Sequence, residues 1–179
     1  MNRLQQFDLD LCISFNRISS YRLVSSAFSM ISRLGDGVIW YCMMLILPLV
    51  YGVQGLVITF NMLSAAIPAL IVYKYLKKKT LRPRPCAITP VIKQQAHALD
   101  QFSFPSGHTM HAVSFTLVVC THLPAASWLL LPFAALIAIS RPILGLHYPS
   151  DVLAGAMIGG SIAYASLQVP FFFAAGVAR

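Results

Sequence analysis

The sequence predicts an all-α chain, a polytopic membrane helix bundle, and three observations carry that reading. The 179 residues are 58% hydrophobic and only 10% charged, with a mean hydropathy of +0.73. No Asp, Glu, Lys or Arg falls between Asp36 and Lys74, between Asp100 and Arg141, or between Asp151 and Arg179. Glycine and proline turn signals, not charges, subdivide the longer gaps. A helix rises about 1.5 Å per residue and a bilayer core is about 30 Å thick, so about 20 residues make one crossing. The first two gaps each hold two short crossings and the third holds one.

Taken in order, residues 1–35 read as amphipathic helices lying in the headgroup region. Phe7, Leu11, Phe15 and Ile18 recur at helical spacing, as do Leu23, Ala27, Met30 and Leu34, with Arg3, Arg17, Arg22 and Arg33 between them. A poorly spanning first transmembrane helix is the alternative. Gly35-Asp36-Gly37 breaks the pattern, and a first crossing runs from about Val38 to Tyr51. The turn at Gly52–Gly55 reverses the chain into a second crossing, about Leu56 to Tyr73. A third spans about Ser106 to His122, a fourth Ser127 to Leu144 and a fifth Ser150 to Ala174. The length suits one domain, 1–179, with loops 74–106 and 141–151 as the polar segments of a 36–175 core. The N-terminus carries no cleavable signal pattern, so the first crossing is expected to direct insertion itself.

Counting reversals puts the N-terminus, the loop after residue 74 and the Arg141–Asp151 turn on one side. Twelve of the thirteen Lys and Arg residues fall there, and only Arg179 falls on the other. The net charge is +8, with five aspartates and no glutamate. A basic excess suits anionic lipid or a phosphorylated substrate. Nucleic acid is excluded as a partner because no basic groove interleaved with aromatics is present. Cys12, Cys42, Cys86 and Cys120 are scattered, without a zinc or disulfide spacing.

Three polar clusters converge on the cationic side. In KKKTLRPRP, Lys77–Pro85, lysine supplies a point charge and arginine a planar fork for phosphate oxygens, on a backbone stiffened by proline. The same stretch also suits a topology signal or a lipid-headgroup contact. In FPSGH, Phe104–His108, Pro105 is tolerated in a first helical turn and Ser106 can cap the orphan amides. Gly107 allows close approach to an anion-binding helix N-terminus, where His108 can donate a proton. A histidine satisfied at the interface is the plainer reading, and His111, one turn on, suits packing. In SRPILGLHYPSD, His147 and Asp151 stand four apart, on one face if the segment is helical. A carboxylate on one ring nitrogen fixes the tautomer and frees the other nitrogen to attack.

Together, Lys77-x6-Arg84-Pro85, Pro105-Ser106-Gly107-His108 and Ser140-Arg141-x5-His147-x3-Asp151 resemble the type 2 phosphatidic acid phosphatase superfamily. That group also includes vanadium haloperoxidases and glucose-6-phosphatase-like enzymes. The resemblance covers roughly residues 35–165 and leaves all three blocks intact. It implies that Lys77, Arg84, Arg141, Ser106 and Gly107 bind the phosphoryl group. It implies His147 as nucleophile through a phosphohistidine, Asp151 as its orienting acid, and His108 as proton donor and then base. No metal and no other cofactor is implied.

Five apolar crossings below a cationic pocket point to a phosphorylated membrane lipid whose tail stays in the bilayer. The resemblance favours undecaprenyl diphosphate, with phosphatidylglycerophosphate, phosphatidic acid or lipid A phosphate as alternatives. A lipid phosphotransferase and a non-catalytic lipid-binding protein are the rivals. The expected location is a bacterial inner or plasma membrane. The positive-inside rule would turn the cationic face to the cytoplasm. Bacterial members of the superfamily turn it to the periplasm or exterior, and that orientation is the expectation here.

Overall fold

The structure, a computed structural model, describes residues 3–97 and 100–177, with side chains as far as 169. Arg179, the single cation assigned to the far side, lies outside the described residues. The helices run α1 (Arg3–Ile18), α2 (Arg22–Leu34), α3 (Val38–Thr80), α4 (Pro85–Ile88), α5 (Gly107–His122), α6 (Ser127–Ile143) and α7 (Pro149–Val177). A 3-10 turn, Pro124–Ala126, joins α5 to α6. The described residues form no β-strand, only an isolated bridge between Pro83 and Phe102.

Helix α3 is two rods. Gly52 has φ +55 and ψ −126, a conformation that glycine adopts without a Cβ penalty, and the chain folds back on itself there. Thr59 donates its hydroxyl to the Met44 carbonyl at 3.0 Å across the two arms. A Cβ on Gly55 would stand 2.0 Å from the Leu47 carbonyl oxygen, so the arms touch backbone to backbone. This is the reversal expected at Gly52–Gly55. By length and apolarity α3, residues 124–143 and residues 149–169 can cross a membrane. Taking the arms of α3 separately, five rods occupy the positions the sequence assigns.

The 16-residue α5 is the axis of the bundle. Ala112, Phe115, Val118 and Val119 bury against Trp40 and Met62 of α3, Ile137 of α6 and Ala163 of α7. Its tightest neighbour is α7. Cβ atoms on Gly155 and Gly159 would lie 2.6 Å from the Ser106 oxygen and 2.3 Å from the Met110 oxygen. Small residues four apart let two apolar helices approach this closely, the means by which helices associate in lipid. Outside, Leu49, Val53, Trp128, Leu129 and Leu153 are exposed, as a lipid-facing surface requires.

The N-terminal helices bind to the rest through polar groups. The inward face of α1 carries Asp8, Leu9, Cys12 and Asn16, whereas Phe7 and Ile18 of the expected apolar stripe face outward. Asn16 donates to the Lys93 and Ile143 carbonyls and accepts the Lys93 amide, which ties α1 to both functional loops. In α2, Ser32 is buried while Leu23, Met30 and Leu34 are exposed.

Candidate active site

Leu81, in the left-handed region at φ +47, ends α3 just after Lys77, and Arg84 stands extended before Pro85, as a residue preceding proline prefers. Both cations are buried, and both reach Asp100. Lys77 Nζ bonds the Asp100 carboxylate and donates to the Phe102 carbonyl at 2.6 Å. Arg84 donates Nη2–H to Asp100 Oδ1 at 2.9 Å, Nε–H to the Asp100 carbonyl at 3.0 Å and Nη1–H to the Leu146 carbonyl at 2.6 Å. Tyr73, one turn before Lys77, donates its hydroxyl to Asp100 as well. Burial alone would raise the Asp100 carboxyl, but Lys77 and Tyr73 outweigh it and hold the group down at about 2.

Arg141, in the last turn of α6, is 3% exposed. Its Nη1 donates to the Ser32 hydroxyl, and Nε is buried with no partner. No carboxylate forms an ion pair with it among the described residues. A buried guanidinium left in that condition is costly unless an anion joins it.

His147 and Asp151 face each other, although the four-residue step is not helical. Gly145, at φ +72, turns the chain, and α7 begins only at Pro149. His147 Nδ1 lies 3.7 Å from Asp151 Oδ2, beyond hydrogen-bond distance, and Nε2 lies 3.5 Å from Arg84 Nη1. Burial first, then the positive charge of Arg141, Arg84 and Lys77, pushes the His147 imidazole well below its ordinary value. The ring therefore stays neutral, with a lone pair available. Asp151 is fully buried: Oδ2 accepts the Tyr148 amide at 2.9 Å and Oδ1 accepts Arg82 Nη1–H at 2.7 Å.

The PSGH block lies at the same end. Ser106 is the N-cap of α5, one residue after Pro105, so Pro105 precedes the helix instead of entering its first turn. The Ser106 hydroxyl pairs with the Thr109 hydroxyl at 2.9 Å rather than with an amide, and its own amide donates to the Asp151 carbonyl at 3.1 Å. The Tyr73 ring fills the space beside Gly107, where a Cβ would lie 2.6 Å from it. His108 bonds Asp36 through Nε2. His111 lies 2.9 Å from the Gly107 carbonyl through Nδ1 and packs on Phe115. From His108 and Tyr73 a cavity of about 270 Å³ runs between the arms of α3 and α5, walled by Trp40, Met44, Leu63 and Leu70.

The blocks are thus brought together, with partners the sequence reading missed. Arg82 bridges Asp151 to Asp8 of α1 at 2.6 Å, stacks 3.9 Å from the Tyr148 ring, and so joins the N-terminal helix to the His147 turn. Four of the five acids of the chain, Asp8, Asp36, Asp100 and Asp151, pair with site cations or histidines. That scarcity was the available signal: an acid in so apolar a chain is functional by default.

A family model described as the PAP2 superfamily matches residues 37–174. The chain is 33% identical over 69 residues to an undecaprenyl-diphosphatase of Sulfolobus acidocaldarius, covering 38% of this chain and 34% of that protein. It is 33% identical over 101 residues to a decaprenylphosphoryl-5-phosphoribose phosphatase of Mycobacterium tuberculosis, covering 55% and 54%. The chain thus spans about a third to a half of the length of these relatives. The crystal structure of a transmembrane PAP2-type phosphatidylglycerolphosphate phosphatase from Bacillus subtilis superposes with a TM-score of 0.77 at 25% identity, covering 95% of this chain and 87% of that one.

Proposed function

Because the chain belongs to the PAP2 superfamily, we propose that it is a metal-independent lipid phosphatase that works through a phosphohistidine on His147. The observation that carries this is Arg141: buried, cationic, in no ion pair among the described residues, and at the end of the bundle where Lys77 and Arg84 flank His147. That arrangement suits a tetrahedral anion. Phosphoryl transfer is chiefly positioning and charge stabilisation, and three cations supply both.

In the first step the His147 Nε2 lone pair forms a bond to phosphorus as the bond to the leaving oxygen breaks. His108 gives that oxygen its proton. In the second, water attacks phosphorus, His108 takes the water proton, and the P–N electrons return to His147. Asp151 stabilises the positive charge that develops on the ring. Ser106 and the Gly107 backbone complete the phosphate cradle at the start of α5.

The substrate proposed is undecaprenyl diphosphate, converted to undecaprenyl phosphate. Its support is the likeness to relatives named for polyprenyl phosphates, together with an apolar cavity opening beside His108. Phosphatidylglycerophosphate is the second reading, favoured by the near-complete superposition on the Bacillus subtilis phosphatase. The location proposed is a bacterial inner or plasma membrane, with the site facing the periplasm or exterior.

The test is phosphate release by detergent-purified protein in excess EDTA, with undecaprenyl diphosphate and phosphatidylglycerophosphate compared. Release by the parent and none by His147→Ala is the expected result. Equal release by both proteins would overturn the reading.

A further inference from the structure

We propose that Asp36 is a positioning residue for His108, holding its imidazole in the tautomer and orientation from which Nδ1 exchanges protons with substrate. The inference rests on the phosphohistidine reading given above and adds a residue that lies outside all three blocks.

Asp36 is placed by its turn, which connects α2 to α3. A Cβ on Gly35 would meet Ile137 of α6 at 3.0 Å, so the turn is wedged against the bundle. Gly37, at φ +124, then swings the chain into α3. The carboxylate of Asp36 bonds His108 Nε2 and lies with it in the wall of the apolar cavity. Bonding to His108, together with Arg141 and Arg33 nearby, holds the Asp36 carboxyl below its usual value despite burial, so it is an anion at working pH. The charged and titratable groups around His108 are Asp36 of the turn, Tyr73 of α3, His111 of α5, Arg141 of α6 and His147 beyond it, with Arg33 of α2 behind Asp36. Asp36 is the one anion in that set.

The chemistry follows from which nitrogen is taken. In the imidazolium, Asp36 accepts Nε2–H, and Nδ1–H goes to the leaving oxygen as the His147–phosphorus bond forms and the phosphorus–oxygen bond breaks. Neutral His108 keeps its remaining proton on Nε2, because the carboxylate holds it there. The Nδ1 lone pair then takes the proton of the water that attacks phosphorus, and the phosphorus–nitrogen electrons return to His147. One carboxylate thus prepares His108 for both halves of the reaction.

An opposite charge in direct contact favours the imidazolium. In Asp36→Asn the alkaline limb of kcat/KM for undecaprenyl diphosphate therefore moves down by about one pH unit, and kcat above neutral pH falls about tenfold or more. KM stays within about twofold, since Asp36 forms its hydrogen bond and ion pair with His108 and none with a phosphate-binding residue among the described residues. With p-nitrophenyl phosphate, whose leaving group needs no proton, the burst of p-nitrophenol keeps its rate. In a His108→Ala background Asp36→Asn has no further effect, and Asp36→Glu recovers part of the loss. Asp36→Ala is read in the same way should the Asn variant fail to fold. An unmoved limb, equal losses on the two substrates, or additive losses with His108→Ala would overturn the proposal. A parent that forms no phosphohistidine overturns the underlying reading instead, which separates the two failures.

Discussion

Arg82 Nη1 lies 2.7 Å from Asp151 Oδ1, so the acid facing His147 is also the anchor of the Arg-Pro-Arg-Pro segment. The other end of the guanidinium holds Asp8 of α1. Removing one partner of a buried ion network leaves the others charged and unpaired, at about 3–5 kcal/mol. Arg82→Ala is therefore expected to lose about that much stability, against less for Asp8→Asn, which leaves Arg82 paired with Asp151. Thermal unfolding of detergent-purified variants measures the difference.

Arg141 has the opposite character. It is a buried cation that forms no ion pair among the described residues, so its charge burdens the resting fold and serves the bound anion. Arg141→Met is expected to abolish turnover while leaving the unfolding temperature unchanged or higher. A calorimetric scan beside a phosphate-release assay checks both halves.

Asp100 gives a pH dependence whose sign is fixed. Its folded value, about 2, lies below the ordinary 3.8. The stabilisation is present above the unfolded value and is lost as pH falls through the folded one. It amounts to about 2 kcal/mol at neutral pH. The stability gap between the parent and Asp100→Asn should therefore be open at pH 7 and narrow between about pH 4 and pH 2. Unfolding measured across that range tests it.

Gly159 faces the Met110 carbonyl so closely that a Cβ would lie 2.3 Å from the oxygen. Gly159→Ala is expected to separate α5 from α7 at a cost of about 1–3 kcal/mol. It should also lower kcat, because Ser106 and His108 travel with α5 and Asp151 with α7. Ala163→Gly, on the same helix but away from this contact, should lower stability without that catalytic loss.

What the sequence made legible follows from the range of the physics. The rods of α3, α5, α6 and α7 were readable because burial in lipid excludes charge over some 20 residues at a time, and Gly52 announced its own turn. The three blocks were readable because each is local. The step from His147 to Asp151 is not the helix that would have put both on one face, since Gly145 and Pro149 impose a turn that still brings ring and carboxylate face to face. The pairs Asp8–Arg82 and Asp36–His108 join residues 74 and 72 apart, and no local period encodes them. The inward polar face of α1 was hidden for a related reason. Asp8 and Asn16 turn inward to partners that exist only once the loops have assembled.

The central claim is a covalent bond between phosphorus and His147. Purified protein would be mixed with undecaprenyl diphosphate carrying a radiolabelled terminal phosphate, quenched in alkali within the first turnover, and mapped by peptide digestion. The account predicts alkali-stable, acid-labile label on the peptide containing His147, and none in His147→Ala. Label on any other residue, or phosphate release without a labelled enzyme at any time in the first turnover, would contradict it.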